Sequence, residues 1–139
     1  MATMNQARDL MQGALVTWRD NNIAGVPIAH DNKRFSPKDD QNAAGEYMRS
    51  TIEHQTGTRP ALGTNATRRS GIWFIQVFTA INTDMRRADV IGQSLLDFLR
   101  TWPVNEVRIL EPAITEVGAT DGAWFQVNVS ATFEYDDFG

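Results

Sequence analysis

Hydrophobic residues follow a strand-like pattern in the middle of the chain and a helical pattern directly after it. Residues 71–79 are rich in β-branched and aromatic side chains, which is typical of a strand. One face would carry Trp73, Ile75 and Val77, and the other Ile72, Phe74 and Phe78. A sheet that is open on one side alternates apolar with polar residues. The pattern therefore predicts a strand covered on both faces, by the following helix and by either a second layer of the chain or a neighbouring subunit.

An amphipathic helix is predicted after this strand. Thr83 or Asp84 can cap its first turn, and Pro103 ends it at Trp102, because proline disfavours helical geometry in the residue before it. The apolar stripe consists of Ala88, Ile91, Leu95, Phe98, Leu99 and Trp102. Gly92 lies at the edge of this stripe and costs about 1 kcal/mol relative to alanine. It is either a tolerated weakness or, as we favour, a place where the helix closely approaches a sheet.

The first half of the chain predicts a helix and two strands. Thr3 can cap the helix, and the polar run 19–22 is expected to break it. Its apolar side comprises Met4, Ala7, Leu10, Met11, Ala14, Leu15 and Trp18. Residues 26–30 predict a short strand, which Pro27 confines to a sheet edge or a strand start. Residues 47–54 alternate in polarity and predict a second strand.

The end of the chain predicts a hairpin. Residues 107–117 form its first strand, bent or bulged at Pro112, and residues 118–122 form a loop with glycine at both ends. Residues 124–135 show the cleanest alternation in the chain, with apolar side chains on one face and polar ones on the other. Two polar, turn-rich stretches predict loops: 35–42 and 55–68.

The order helix, strands, helix, hairpin predicts an α+β fold, with a mainly antiparallel β-sheet and two principal helices packed on one face. Because 139 residues is the size of one domain, we expect residues 1–139 to form a single domain. No apolar run approaches the roughly 20 residues that a membrane span needs. The start of the chain lacks the plan of a signal peptide, so we expect a soluble protein made in a cytoplasm.

The sequence predicts no catalytic, cofactor-binding or metal site. It has no cysteine, and His30 and His54 are far apart without ligand-like neighbours. The adjacent aspartates in the polar loop and the tail are typical of solvated charge, and neither a nucleophile elbow nor a phosphate-binding glycine loop occurs. A net charge of −4 argues against a general nucleic-acid coat protein.

The candidate contact residues surround the central strand. Two arginine pairs bracket it, and they would contact a phosphate or a partner's carboxylates, or else form a solvated rim. Three aromatic residues within it are expected to be buried or to face a subunit. The interface candidates are Arg68, Arg69, Trp73, Phe74, Phe78, Arg86 and Arg87. We expect charge reversal at Arg86 and Arg87 to weaken assembly while sparing the fold of the monomer.

Five segments in this order resemble the phage tail terminator-like family. They are a proline-containing strand (26–32), the next strand (47–54), an arginine–glycine entry into a strand ending near Gln-Val-Phe (69–78), a helix start Arg-Ala-Asp (87–89) and a closing strand (124–135). These motifs are structural rather than catalytic, and they are spread over most of the chain.

The resemblance implies a virion protein of the tail and neck, without enzymatic activity or cofactor. It implies a homo-oligomeric ring, expected to be a hexamer, at the head-proximal end of the tail tube. Such a ring stops tube polymerisation and contacts the tail tube protein and a head-completion or neck protein, while DNA passes through the lumen without specific binding. Another head–tail connector ring, such as a stopper or head-completion protein, and a small enzyme of unknown type are the alternatives.

Overall fold

The computed structural model describes residues 3–30, 45–55, 67–80, 85–120 and 124–137. These residues form two helices and five strands: α1 (Met4–Asn22), β1 (Ile28–Ala29), β2 (Glu46–His54), β3 (Thr67–Ala80), α2 (Met85–Arg100), β4 (Arg108–Thr120) and β5 (Trp124–Asp137). The strands form one sheet in the order β1-β2-β3-β5-β4, in which only the β1–β2 pair is parallel. The predicted α+β fold with a mainly antiparallel sheet is confirmed.

Helix α1 begins at the predicted cap. The Thr3 hydroxyl accepts a hydrogen bond from the backbone N–H of Gln6, whose side chain accepts one from the Thr3 N–H. The prediction that residues 19–22 break the helix is wrong, because the helix continues to Asn22, whose side-chain amide donates to the Trp18 carbonyl. Ala7, Met11, Leu15 and Trp18 of the apolar stripe are buried, Leu10 and Ala14 are half-buried, and the first residue, Met4, is exposed.

The core lies between the two helices and one face of the sheet. The central strand contributes Trp73, Ile75 and Val77, each at most 1% exposed, and the same cluster contains most of the apolar stripe of each helix. Trp73 donates from its indole nitrogen to the Ser50 hydroxyl over 2.8 Å, and this buried bond fixes the ring. The Trp102 ring packs edge-on against Trp73 with centroids 5.7 Å apart. Both described helices therefore pack on one face of the sheet, as predicted.

Two glycines are required by close packing. A Cβ atom on Gly92 would lie 2.7 Å from Ile114 Cδ1 and 3.0 Å from Val127 Cγ1, which confirms the predicted close approach of α2 to the sheet. A Cβ on Gly71 would collide with the backbone carbonyl of Glu53 and lie 2.7 Å from Phe133 Cζ. Neither position has room for a larger residue without movement of its neighbours.

Strand β4 is irregular in the way its sequence indicates near Pro112. The register against β5 shifts between Leu110 and Ala113, and Glu111 has a φ of 49°. A second shift follows at Gly118, whose φ is 92°. The predicted loop 118–122 is therefore wrong for its first three residues, which belong to the strand, since a positive φ at a glycine serves a bulge as well as a turn.

The other predicted boundaries differ from the structure at a few places. Strand β3 begins at Thr67 and so takes two residues from the predicted loop 55–68. Helix α2 ends at Arg100, two residues before the predicted end. Strand β1 is the outer strand of its edge, as Pro27 indicates. The loop prediction for 35–42 and the cap prediction for Thr83 and Asp84 lie outside the described residues.

Candidate functional site

The face of the sheet that points away from the helices carries no helix within the described residues. Its central rows contain Thr51, Ile72, Phe74, Ser130, Thr132 and Leu110, and we call this surface the open sheet face. Phe74 is 36% exposed and Leu110 42% exposed, whereas the side chains between them on β5 are small hydroxyls. The open sheet face is therefore partly apolar across β3, β5 and β4, and on β2 it carries two exposed charged residues, Arg49 and Glu53.

One end of the same side of the sheet is closed by aromatic packing. Tyr47 and Phe78 stack with ring centroids 4.5 Å apart, and Trp124 meets Tyr47 edge-on at 4.9 Å. Phe78 is therefore buried. Phe74, which lies on the same face four residues away and pairs with Thr51, is exposed. The predicted cover on both faces of the central strand is complete at Trp73 and Phe78 but incomplete at Phe74 within a single chain.

The predicted arginine contacts are largely engaged inside the chain. Arg68 Nε donates to Asp136 over 3.2 Å, and Arg69 Nε donates to Asp137 over 3.0 Å, so both arginines tie β3 to β5. Arg87 binds Glu46 through two hydrogen bonds, of which Nη2 to Oε1 is 3.1 Å long. The side chain of Arg86 lies outside the described part of the structure.

The carboxylate of Glu46 is only 2% exposed, which makes its bond to Arg87 a structural contact. This hydrogen bond raises the pKa of the Arg87 guanidinium, although burial opposes the change. Charge reversal at Arg87 would place two carboxylates against each other at the edge of the core. We therefore withdraw the expectation that such a variant spares the fold.

Arg49 differs from the arginines predicted as contact residues. Among the arginine side chains that the structure describes, it alone has neither a hydrogen bond nor an ion pair. It is exposed on β2 opposite Gln76, at the rim of the open sheet face. The signal was its place on the polar side of the alternating strand 47–54, but a lone arginine there looks like any solvated residue.

A groove of about 600 Å³ opens on the helix side of the molecule. It lies between α1 and the segment that ends α2, and its walls include Leu10, Gly13, Ala14, Trp18, Phe98 and Pro103. The core side of α1 faces the sheet, so this groove and the open sheet face lie on opposite sides of the molecule. Asp9 lines the groove as an exposed carboxylate.

The environment of His54 is structural rather than ligand-like. Its Nε2 lies 2.6 Å from the hydroxyl of the fully buried Tyr135. Burial lowers the pKa of His54, and the positive charges of Arg8 and Arg69 lower it further, so the ring is neutral at pH 7. Burial raises the pKa of Tyr135, which remains protonated. No cluster of three or more potential metal-ligating side chains occurs in the described ranges.

Comparison with known proteins gives this architecture a family. The profile of the phage tail terminator protein family matches residues 6–133, nearly the whole chain. This chain belongs to the phage tail terminator family. The family consists of structural proteins, so this tail terminator protein is a structural component of a bacteriophage tail and hence of a virion. The resemblance stated from the sequence is confirmed.

The fold of this terminator also occurs in a solved structure that is 21% identical in sequence. The similarity covers 100% of this chain and 99% of that chain, with a TM-score of 0.73. No curated protein sequence matches this terminator. Neither of the described helices combines the length and the apolar character that crossing a membrane requires.

Proposed function

We propose that this tail terminator protein acts as a single domain, residues 1–139, that assembles into a homo-oligomeric ring, expected to be a hexamer. The ring caps the head-proximal end of the tail tube, stops tube polymerisation and provides the interface to the head-completion or neck protein. The observation that carries this proposal is the family match over residues 6–133.

The surface of the chain supports assembly with copies of itself. Phe74 is exposed on the central strand of the sheet, where an isolated monomer would gain from covering it. A ring closes when two different surfaces of each subunit meet repeatedly with the right rotation. In this role the protein needs no catalytic group or cofactor, and its partners are its own copies, the tail tube protein and the neck.

The charge of the protein suits a passage for DNA. Its net charge is −4, and most of the described arginines already bind a carboxylate of the same chain. Affinity for a phosphate backbone depends on free lysine and arginine side chains. DNA would therefore slide through the lumen of the ring without specific binding.

The test is a phage from which the gene for this protein has been deleted. We expect electron microscopy to show overlong tails, since nothing stops tube growth, and expression of the intact protein to restore tail length. Normal tails on heads that leak DNA would indicate a stopper or head-completion protein and would contradict the proposal. Light scattering of the purified protein, followed by imaging, gives the mass and symmetry of the ring.

A further inference from the structure

Two unlike apolar surfaces lie on opposite sides of this molecule. The open sheet face carries Phe74, a large aromatic side chain with about a third of its surface exposed. The groove on the helix side is concave, about 600 Å³ in volume and bounded by Trp18 and Phe98. Its α1 wall includes Gly13, which has no side chain, and Ala14, which has a small one, and this leaves room for an incoming residue. One side of the molecule thus offers an exposed aromatic ring, and the other offers an apolar groove.

An arginine lies at one of these surfaces and an aspartate at the other, while Glu53 adds an exposed carboxylate on the same strand face as the arginine. Arg49, at the rim of the open sheet face, has no partner in the described part of its own chain. Asp9, in the wall of the groove, likewise makes no ion pair with any described residue. An uncharged centre surrounded by charged residues is the usual anatomy of a protein interface. The pairing of these two charges would fix the orientation of the contact.

The edges of the sheet are less suitable for assembly than this pair of surfaces. Strand β4 forms one edge, but Pro112, two register shifts and the charged residues Glu111 and Glu116 interrupt it. Such features prevent pairing of an edge with another strand. Strand β1, at the opposite edge, has only two residues, Ile28 and Ala29.

We propose that the open sheet face of one subunit docks on the helix-side groove of the next subunit. Phe74 enters the groove, and Arg49 of one copy binds Asp9 of the other. Because the two surfaces are different and lie on opposite sides of the chain, the contact is heterologous and can repeat around a ring. This inference rests on the proposed ring and identifies the surfaces that build it.

The absence of cysteine from this chain allows a direct test by cross-linking. Gly13→Cys places a thiol in the groove, where an added Cβ meets no other atom within 4 Å. Ser130→Cys places a nearly isosteric thiol on the open sheet face beside Phe74. Each single variant and the double variant are supplied to the deletion phage, and purified particles are treated with a short bifunctional thiol cross-linker.

The double variant should give a ladder of covalent oligomers that reaches the size of the ring, and each single variant should give only monomers. Dimers from Ser130→Cys alone would mean that sheet faces pack together, and dimers from Gly13→Cys alone that groove sides pack together. Either result would overturn the proposal. A deletion phage with overlong tails, combined with no ladder from the double variant, would overturn this docking mode and leave the terminator function standing.

A charge exchange provides an independent test. Arg49→Asp should weaken assembly at least about tenfold, since it places two carboxylates together, and the double variant Arg49→Asp/Asp9→Arg should restore it. Arg100→Asp is the matched control, because Arg100 is exposed and its nearest carboxylate is the equally exposed Asp97. Assembly is measured as ring mass and as the length of tails in complemented particles. If the Arg49→Asp variant assembled as well as the wild type, Arg49 and Asp9 would not form the proposed contact.

Discussion

Removal of the Arg87 guanidinium tests whether that residue stabilises the fold rather than an interface. In Arg87→Ala the carboxylate of Glu46, 2% exposed, loses two charge-assisted hydrogen bonds. Breaking a fully buried ion pair costs about 3–5 kcal/mol. Arg87 itself is 41% exposed, and Glu46 retains another interaction within the chain. We therefore expect a smaller loss, about 2–3 kcal/mol in the free energy of unfolding.

Urea denaturation followed by tryptophan fluorescence measures this loss. Glu46→Gln removes the buried charge, so the double variant Arg87→Ala/Glu46→Gln should recover part of the stability that Arg87→Ala loses. Arg100→Ala is the control, because both members of its ion pair are well exposed and such pairs contribute less than about 1 kcal/mol. A free energy of unfolding for Arg87→Ala within about 0.5 kcal/mol of wild type would refute the reasoning.

Three further predictions concern the core and its rim. Gly71→Ala should lower the free energy of unfolding by about 1–3 kcal/mol, because the new methyl group meets a backbone carbonyl. Gly13→Ala should raise it by up to about 1 kcal/mol, because alanine favours the helix and the new methyl group meets no other atom. Chemical denaturation measures both changes, and equal effects would contradict the packing argument. Ser50→Ala leaves the indole N–H of Trp73 without its acceptor, so we expect a loss of about 1–3 kcal/mol and a changed tryptophan emission spectrum. Because the pKa of His54 is lowered in the folded protein, the unfolded state binds more protons below about pH 6.5, and the free energy of unfolding should fall as the pH falls from that value. His54→Asn should flatten this part of the plot of stability against pH. An unchanged slope in this variant would show that His54 does not cause the effect.

The sequence is sufficient to predict those parts of the fold that depend on local periodicity. The alternation of residues 124–135 places the buried face of β5 correctly, and the stripe that starts at Ala88 gives the buried side of α2. In both elements, residues that are close in sequence pack against the same core, so the local spacing of apolar residues is enough to identify the buried side. The bend in β4 was likewise predictable, since Pro112 cannot take part in a regular ladder.

The roles of the arginines could not be predicted in this way, because they depend on which strands become neighbours. Arg68 finds Asp136 because the β3–β5 register places the two residues opposite each other, although 68 positions separate them in the chain. Arg87 finds Glu46 across 41 positions. The charge of each arginine was evident in the sequence, but whether that charge was already neutralised was not. For the same reason the sequence did not single out Arg49, which has neither a hydrogen bond nor an ion pair within the described part of its chain.

Arg49 is important for both the proposed subunit contact and the proposed passage of DNA. A free guanidinium that faced the lumen would bind phosphates and release counterions, and so would slow the movement of the DNA. Within the described residues, the other arginines already have partners in the same subunit, which leaves Arg49 as the remaining free cation. If the next subunit supplies Asp9 to this arginine, assembly pairs the one described arginine that has no carboxylate or carbonyl partner within its own subunit. Ring closure would then produce the weakly binding surface that DNA passage requires, so Arg49→Asp should impair assembly without increasing retention of the protein on DNA.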